Sequence, residues 1–151
     1  MDLRPILLVE DDQAEAKLLI RRLERVGVEN PIAHLQNGDK ALAYLSGIDV
    51  YSDRAQYPLP VLIILDLKLP GMSGLELLRV IRRNRRLKSI PVVVLTSQED
   101  EGIIRGAYEV GANSYLVKSA DESKVLEIAQ GIRDYWLNLN RAPLLVIAEK
   151  A

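Results

Sequence analysis

Residues 61–74 read Val61-Leu62-Ile63-Ile64-Leu65-Asp66-Leu67-Lys68-Leu69-Pro70-Gly71-Met72-Ser73-Gly74. The apolar run at 61–65 is too short for a helix and too continuous for a strand with one wet face. It suits a strand buried on both sides, as in a parallel sheet. The run stops at an acid, and the Pro-Gly pair beyond marks a turn. Similar short apolar runs occur at 6–9, 31–35, 92–95 and 114–117. Between them lie stretches of helical period. Ala16, Leu19, Ile20, Leu23 and Val26 form one stripe, with Gly27 placed to stop it. Leu77, Leu78 and Ile81 form another within 74–86, and Val125, Ile128, Ala129, Ile132, Tyr135 and Trp136 form the longest. Strand alternating with helix predicts an α/β fold with right-handed crossovers and helices on both sheet faces. Residues 49–60 and the tail after Leu137 stand outside the alternation.

The composition bounds the chemistry. A chain of 151 residues, 48% hydrophobic and 27% charged, is sized and composed for one globular domain. A net charge of -1 argues against a dedicated nucleic-acid binder, which carries a basic excess. The absence of cysteine excludes disulfides, thiolate zinc sites and cysteine nucleophiles, and the one histidine, His34, excludes a multi-histidine metal centre. No apolar run approaches the ~20 residues of a membrane span, and residues 1–5 lack the apolar core of a signal peptide. A cytoplasmic location is expected.

Ligands of open parallel sheets bind beyond the carboxyl ends of the strands. The residues there are Glu10-Asp11-Asp12, Asp66, Thr96-Ser97 and Lys118. Two carboxylates 4 Å apart repel by ~4 kcal/mol at an effective dielectric of ~20. Such a cluster needs a cation or raised pKa values. Oxygen ligands without histidine or cysteine favour Mg²⁺. With a lysine and a hydroxyl nearby, the set describes phosphoryl transfer with an aspartate as nucleophile.

Leu8-Val9-Glu10-Asp11-Asp12, the run from Leu65 to Gly74, Leu95-Thr96-Ser97 and Tyr115-Leu116-Val117-Lys118 together resemble a response-regulator receiver domain. The resemblance runs from about residue 5 to residue 137, nearly the whole chain. It implies a flavodoxin-like, CheY-like doubly wound sheet of five parallel strands in the order 2-1-3-4-5. It implies that Asp66 accepts a phosphoryl group from a sensor histidine kinase and that the chain is no enzyme beyond its own phosphorylation and dephosphorylation. Mg²⁺ would be held by Asp11 and Asp66 directly, Glu10 through water and the main-chain carbonyl of Lys68. Lys118 and Thr96 would contact phosphoryl oxygens, and Tyr115 would turn inward as Thr96 moves. Lys68 and Gln98, next to the acceptor, are expected to tune the phosphate's lifetime. One departure stands out. Ser119 follows the lysine where most receivers have proline, so the bond is expected to be trans with a shifted loop, or cis under strain.

Residues 49–60, with Tyr51 and Tyr57, and the sequence Tyr135-Trp136-Leu137-Asn138-Leu139-Asn140 look like the small receivers paired with bacterial and cyanobacterial phytochrome kinases. A receiver over 1–138 and an arm over 139–151, with no output domain, are expected. The apolar run 144–147 suits a strand, and the last helix with this arm is expected to build a homodimer by exchange.

Plainer readings compete. Glu10-Asp11-Asp12 could serve the dipole of the next helix. Thr96-Ser97 could cap the helix after them. Tyr115 could be a packed aromatic and His34 structural or exposed. The basic residues Arg79, Arg82, Arg83, Arg85, Arg86 and Lys88 fit a solvated helix face. An Mg²⁺-dependent phosphatase or phosphotransferase with an aspartyl nucleophile is the rival function, although that class favours Asp-x-Asp where this chain has Glu10-x-Asp12.

Overall fold

A computed structural model of the protein describes residues 2–145. The strands are β1 (Ile6–Val9), β2 (Ile32–Leu35), β3 (Leu62–Leu65), β4 (Val92–Thr96) and β5 (Ser114–Val117). The helices are α1 (Gln13–Arg25), α2 (Gly38–Ser46), α3 (Gly74–Arg83), α4 (Glu101–Val110) and α5 (Glu122–Gly131). All strand pairs are parallel and the order is β2-β1-β3-β4-β5, as the sequence led us to expect.

Alternation along the strands builds a core on each face. Leu7, Val9, Ile63, Leu65, Val92 and Val94 face α3 and its Leu77, Leu78 and Ile81. Ile6, Leu8, Leu62, Ile64, Val93 and Leu95 face Ala16, Leu19 and Leu23 of α1 and Ala129 of α5. Each such aliphatic side chain contributes about 1.5–3 kcal/mol by leaving water. Strands β1, β3 and β4 are buried throughout, whereas β2 and β5, at the edges, are half-buried.

Gly27, with φ of +92°, follows α1 as the expected stop. Helix α3 ends at Arg83, short of the expected 86. Its Arg82 is no solvated residue. The guanidinium donates to the carbonyls of Gly111, Lys88 and Ile90 and to Asn113 Oδ1, at 2.8–3.0 Å. These bonds tie the end of α3 to the turn before β5.

Residues 49–60 begin with a 3₁₀ turn at Asp49–Tyr51. Arg54 fastens the segment, donating to the carbonyls of Tyr44, Leu45 and Tyr57 at 2.6–3.1 Å. The rings of Tyr44, Tyr51 and Tyr57 pack with centroids 5.2–6.0 Å apart. Beyond α5 the chain continues as a π-helix, Ile132–Leu139. Leu144 and Leu145, expected in a strand, are irregular, and the rest of that run lies outside the described residues. Among the described residues no helix is long and apolar enough to cross a membrane.

Candidate functional site

Sheet pairing brings the ends of β1, β3 and β5 together. The Asp66 N–H donates to the Val9 carbonyl at 3.0 Å, and the Lys118 N–H to the Thr96 carbonyl at 2.8 Å. These backbone bonds extend the ladders by one residue and aim the following side chains into one cleft. Lys118 Nζ lies 2.5 Å from Glu10 Oε1, 2.6 Å from Glu15 Oε2 and 2.7 Å from Asp66 Oδ2. An ammonium has three N–H groups, and three carboxylates take them. Glu10 and Asp66 are buried, whereas Glu15 is half-exposed on the first turn of α1.

Burial pushes the Glu10 carboxyl up to about 8, against the bonds from Lys118 and the Asp12 amide that favour its ionised form. Burial alone would lower Lys118, but its bonds to Asp66, Glu10 and Glu15 outweigh that and drive it up. The lysine is a fixed cation at the centre of the acids.

Thr96 is fully buried at the end of β4, and its Oγ1 has no hydrogen-bond partner. It does not cap the next helix, contrary to the plainer reading. That cap is Asp100, which accepts from the amides of Gly102 and Ile103. Tyr115 is half-buried, and its hydroxyl donates to the Gln98 carbonyl at 2.8 Å. The Lys68 amide donates to Asp66 Oδ1 at 3.1 Å, while its side chain is exposed.

Three expected features are placed differently or more sharply. Asp11 is exposed and does not belong to the group of acids whose oxygens lie within 4.8 Å of one another; that group is Glu10, Glu15 and Asp66. Asp12 accepts from the Glu15 amide at 3.0 Å and caps α1, so it is committed to the helix rather than to chemistry. No cis peptide bond occurs among the described residues, so Lys118–Ser119 is trans. The Ser119 Oγ accepts from the Asp121 amide at 3.1 Å and shapes the loop that follows.

Sequence reasoning missed Glu15 and Gly74 and read His34 only as structural or exposed. Glu15 sits five residues past Glu10, and only the geometry of the α1 first turn, set by the Asp12 cap, turns it toward Lys118. His34 Nε2 lies 2.7 Å from the Glu10 carbonyl. A carbonyl only accepts, so this nitrogen carries the proton and fixes the backbone beside the cluster. Gly74 is also a site residue. A Cβ there would fall on the Asp66 carbonyl oxygen and within 2.7 Å of Leu67 Cα, so only glycine lets α3 begin against the Asp66 loop.

The donor set fits a hard divalent cation, because all its ligands are oxygens and two of the three carboxylates are buried. The unpartnered Thr96 hydroxyl fits a further oxygen-rich anionic group that could accept from it.

A doubly wound sheet carrying buried acids, a lysine and a hydroxyl at its carboxyl edge defines a CheY-like signalling domain. The chain belongs to the response regulator receiver domain family, whose profile matches residues 6–130. It is 41% identical over 138 residues to the probable methanogenesis regulatory protein FilR2 of Methanothrix harundinacea, covering 91% of this chain and 86% of that protein. It is 38% identical to the response regulator Rcp1 of Synechocystis, covering 91% and 92%. The crystal structure of the phosphorylated cyanobacterial phytochrome response regulator RcpA superposes with a TM-score of 0.88 at 35% identity, covering 95% of this chain and all of that one. The Mn²⁺-bound form of Rcp1 superposes with a TM-score of 0.85 at 37% identity, covering 93% and 99%.

Proposed function

We propose that Asp66 receives a phosphoryl group from a phosphohistidine on a sensor histidine kinase. In that transfer the nitrogen–phosphorus bond breaks as a carboxylate oxygen of Asp66 bonds to phosphorus. The observation that carries this reading is Lys118 Nζ, 2.7 Å from Asp66, at the same sheet edge as a buried Thr96 hydroxyl that lacks a partner. Lys118 neutralises a phosphoryl oxygen and Thr96 donates to another. Glu10, Asp11, Asp66 and the Lys68 carbonyl would hold Mg²⁺, with Glu15 in reach, and the ion supplies positive charge to the transferring group. The chain then acts by binding or relaying phosphate rather than by turnover. Tyr115, tethered to the Gln98 carbonyl two residues past Thr96, reports the movement of Thr96.

A phytochrome kinase is the partner this reading names, supported by the likeness to Rcp1 and RcpA. Self-association through the last helix, whose Tyr135 and Leu139 are exposed, together with the C-terminal arm, and a cytoplasmic setting complete it. Lys68 screens the phosphoryl group and Gln98 orients the attacking water.

Acetyl phosphate with Mg²⁺ should add one phosphoryl group to the protein and none to Asp66→Asn. Turnover of small phosphoesters that survives Asp66→Asn would sink the proposal. Phosphotransfer profiling against the kinases of the source organism tests the partner. Decay rates unchanged in both Lys68→Asn and Gln98→Ala would remove the tuning role.

A further inference from the structure

The β1–β2 ladder stops one bond short of the acidic loop. The Ile6 amide donates to the Pro31 carbonyl and the Glu10 amide to the Leu35 carbonyl. In a parallel ladder the next bond would run from the Asn37 amide to the Glu10 carbonyl. Asn37 leaves the strand instead and starts α2, where its side chain accepts from the Lys40 amide at 2.8 Å. Among the described residues no main-chain amide donates to the Glu10 carbonyl. His34 fills the gap. It shares a face of β2 with Ile32, and its Nε2 reaches that carbonyl at 2.7 Å.

The carbonyl belongs to the planar peptide that joins Glu10 to Asp11. Its hydrogen bond therefore sets the tilt of the plane from which Asp11 departs. The neighbours of Asp11 are fixed by other means. Glu10 is held by its own amide and by its ion pair with Lys118. Asp12 is held by its amide, which donates to Glu10 Oε2 at 3.2 Å, and by capping α1. Asp11, exposed between them, takes its direction from the peptide that His34 holds.

We infer that His34 is a positioning residue for the divalent-cation site: its Nε2–H fixes the Glu10–Asp11 peptide so that the Asp11 carboxylate meets an ion held at Asp66. The inference rests on the metal ligands of the proposed function. An exposed ligand on an unfixed peptide must be ordered when the ion arrives, which weakens binding. Replacing a group that orients a metal ligand lowers affinity by about 10–100-fold. His34 acts on one ligand of several and through the backbone, so the low end of that range applies.

Mn²⁺ titration of the full chain, followed by electron paramagnetic resonance, tests the inference. The parent is compared with His34→Leu, which removes the donor, and with His34→Gln, whose amide offers a donor near the place of Nε2. His34→Leu should bind Mn²⁺ ~10-fold more weakly, and His34→Gln should stay near the parent. Where His34→Leu fails to fold, His34→Asn replaces it, because its amide is one methylene too short to reach the carbonyl. Thermal melts without metal are read alongside. A role confined to stability would lower the melting point of His34→Leu and leave its Mn²⁺ affinity unchanged, which would overturn the inference. So would a His34→Gln protein that binds as weakly as His34→Leu, or His34→Asn and His34→Gln proteins of equal affinity. With acetyl phosphate, the Mg²⁺ concentration for half-maximal phosphorylation should rise in His34→Leu by the factor seen with Mn²⁺, while the rate at saturating Mg²⁺ stays near the parent's. A parent that binds Mn²⁺ and accepts no phosphoryl group would sink the proposed function alone. A parent that accepts one, beside a His34→Leu protein of unchanged Mn²⁺ affinity, would sink this inference alone. A parent that binds no Mn²⁺ would overturn both.

Discussion

Lys118→Met removes the one cation from a cluster of three carboxylates. Their oxygens lie within 4.8 Å of one another. At an effective dielectric of ~20, a pair at that separation repels by ~3.5 kcal/mol. Glu15 is half-exposed and solvent screens its share. The buried pair, Glu10 and Asp66, keeps most of its repulsion only where Glu10 is ionised, above its pKa of about 8. Breaking a buried ion pair from one side costs ~3–5 kcal/mol, which agrees. At ~2–4 °C per kcal/mol for a domain of this size, the melting point should fall by roughly 10 °C in chelator at pH 9. The pH dependence follows from Glu10, whose folded pKa of about 8 lies above its ordinary 4.5. A raised acid contributes stability that is fully present below 4.5 and lost as pH rises through 8. Loss of Lys118 removes a bond that lowers this pKa, so the deficit of Lys118→Met should widen between pH 6 and pH 9. A divalent cation should then restore more stability to the variant than to the parent. Thermal melts in chelator and in Mg²⁺, at pH 6, 7.5 and 9, measure all three effects. A variant that melts with its parent in chelator, or gains no more from the ion, would refute the reasoning.

Glu15→Gln should cost under ~1 kcal/mol of stability, since Glu15 is half-exposed, yet slow the decay of the phosphorylated protein by freeing one bond of Lys118. Phosphate-affinity gels measure the decay, and an unchanged rate removes Glu15 from the site. Gly74→Ala should destabilise by ~1–3 kcal/mol or more, because its Cβ meets the Asp66 carbonyl and the backbone of Leu67. Urea unfolding decides it, and a change below ~0.5 kcal/mol contradicts the close approach. Thr96→Val should leave the unphosphorylated protein within ~1 kcal/mol of its parent, since the hydroxyl has no partner to lose. The same substitution should abolish the stabilisation that phosphorylation brings, and urea unfolding with and without acetyl phosphate tests both halves.

The fold was legible because burial on both sides leaves a plain mark. Strands β1, β3 and β4 appear as unbroken branched apolar runs, and their ends named Glu10, Asp66 and Thr96 directly, while Lys118 follows the edge strand β5. The edges were harder to read. His34 in β2 gave no sign of its bond to the Glu10 carbonyl, because that bond depends on register rather than on residue type. Arg82 sat in a basic run that looked solvated, and only the turn before β5 shows why one of those guanidinium groups is drawn inward. Glu15 was hidden for a similar reason. An acid in the first turn of a helix is ordinary, and its reach to Lys118 depends on how the Asp12 cap sets the turn. The extra role of Gly74 was invisible, since nothing in a Ser-Gly pair says that a carbonyl lies against it.

The proposed function divides the work of switching between Lys118 and Thr96. Lys118 has three N–H groups and all three are taken, so a phosphoryl group on Asp66 gains that cation by exchange with a carboxylate. Exchange yields less than a new contact. Thr96 is different. Its hydroxyl is buried with no partner, a condition that costs ~1–3 kcal/mol and is relieved only when an acceptor arrives. Turning a 1:99 equilibrium into 99:1 takes ~5.5 kcal/mol of differential interaction. In this reading Thr96 supplies a large share, and the divalent cation meets most of the added charge of roughly -1.5 to -2. In the proposed switch a Thr96 movement would pass to Tyr115 locally, because the Gln98 carbonyl two residues on accepts from the Tyr115 hydroxyl. On the proposed function the lysine sets the electrostatics of the resting protein, while the threonine would carry the change of state. Lys118→Met and Thr96→Val should fail in different measurements, the first in stability without phosphate and the second only with it.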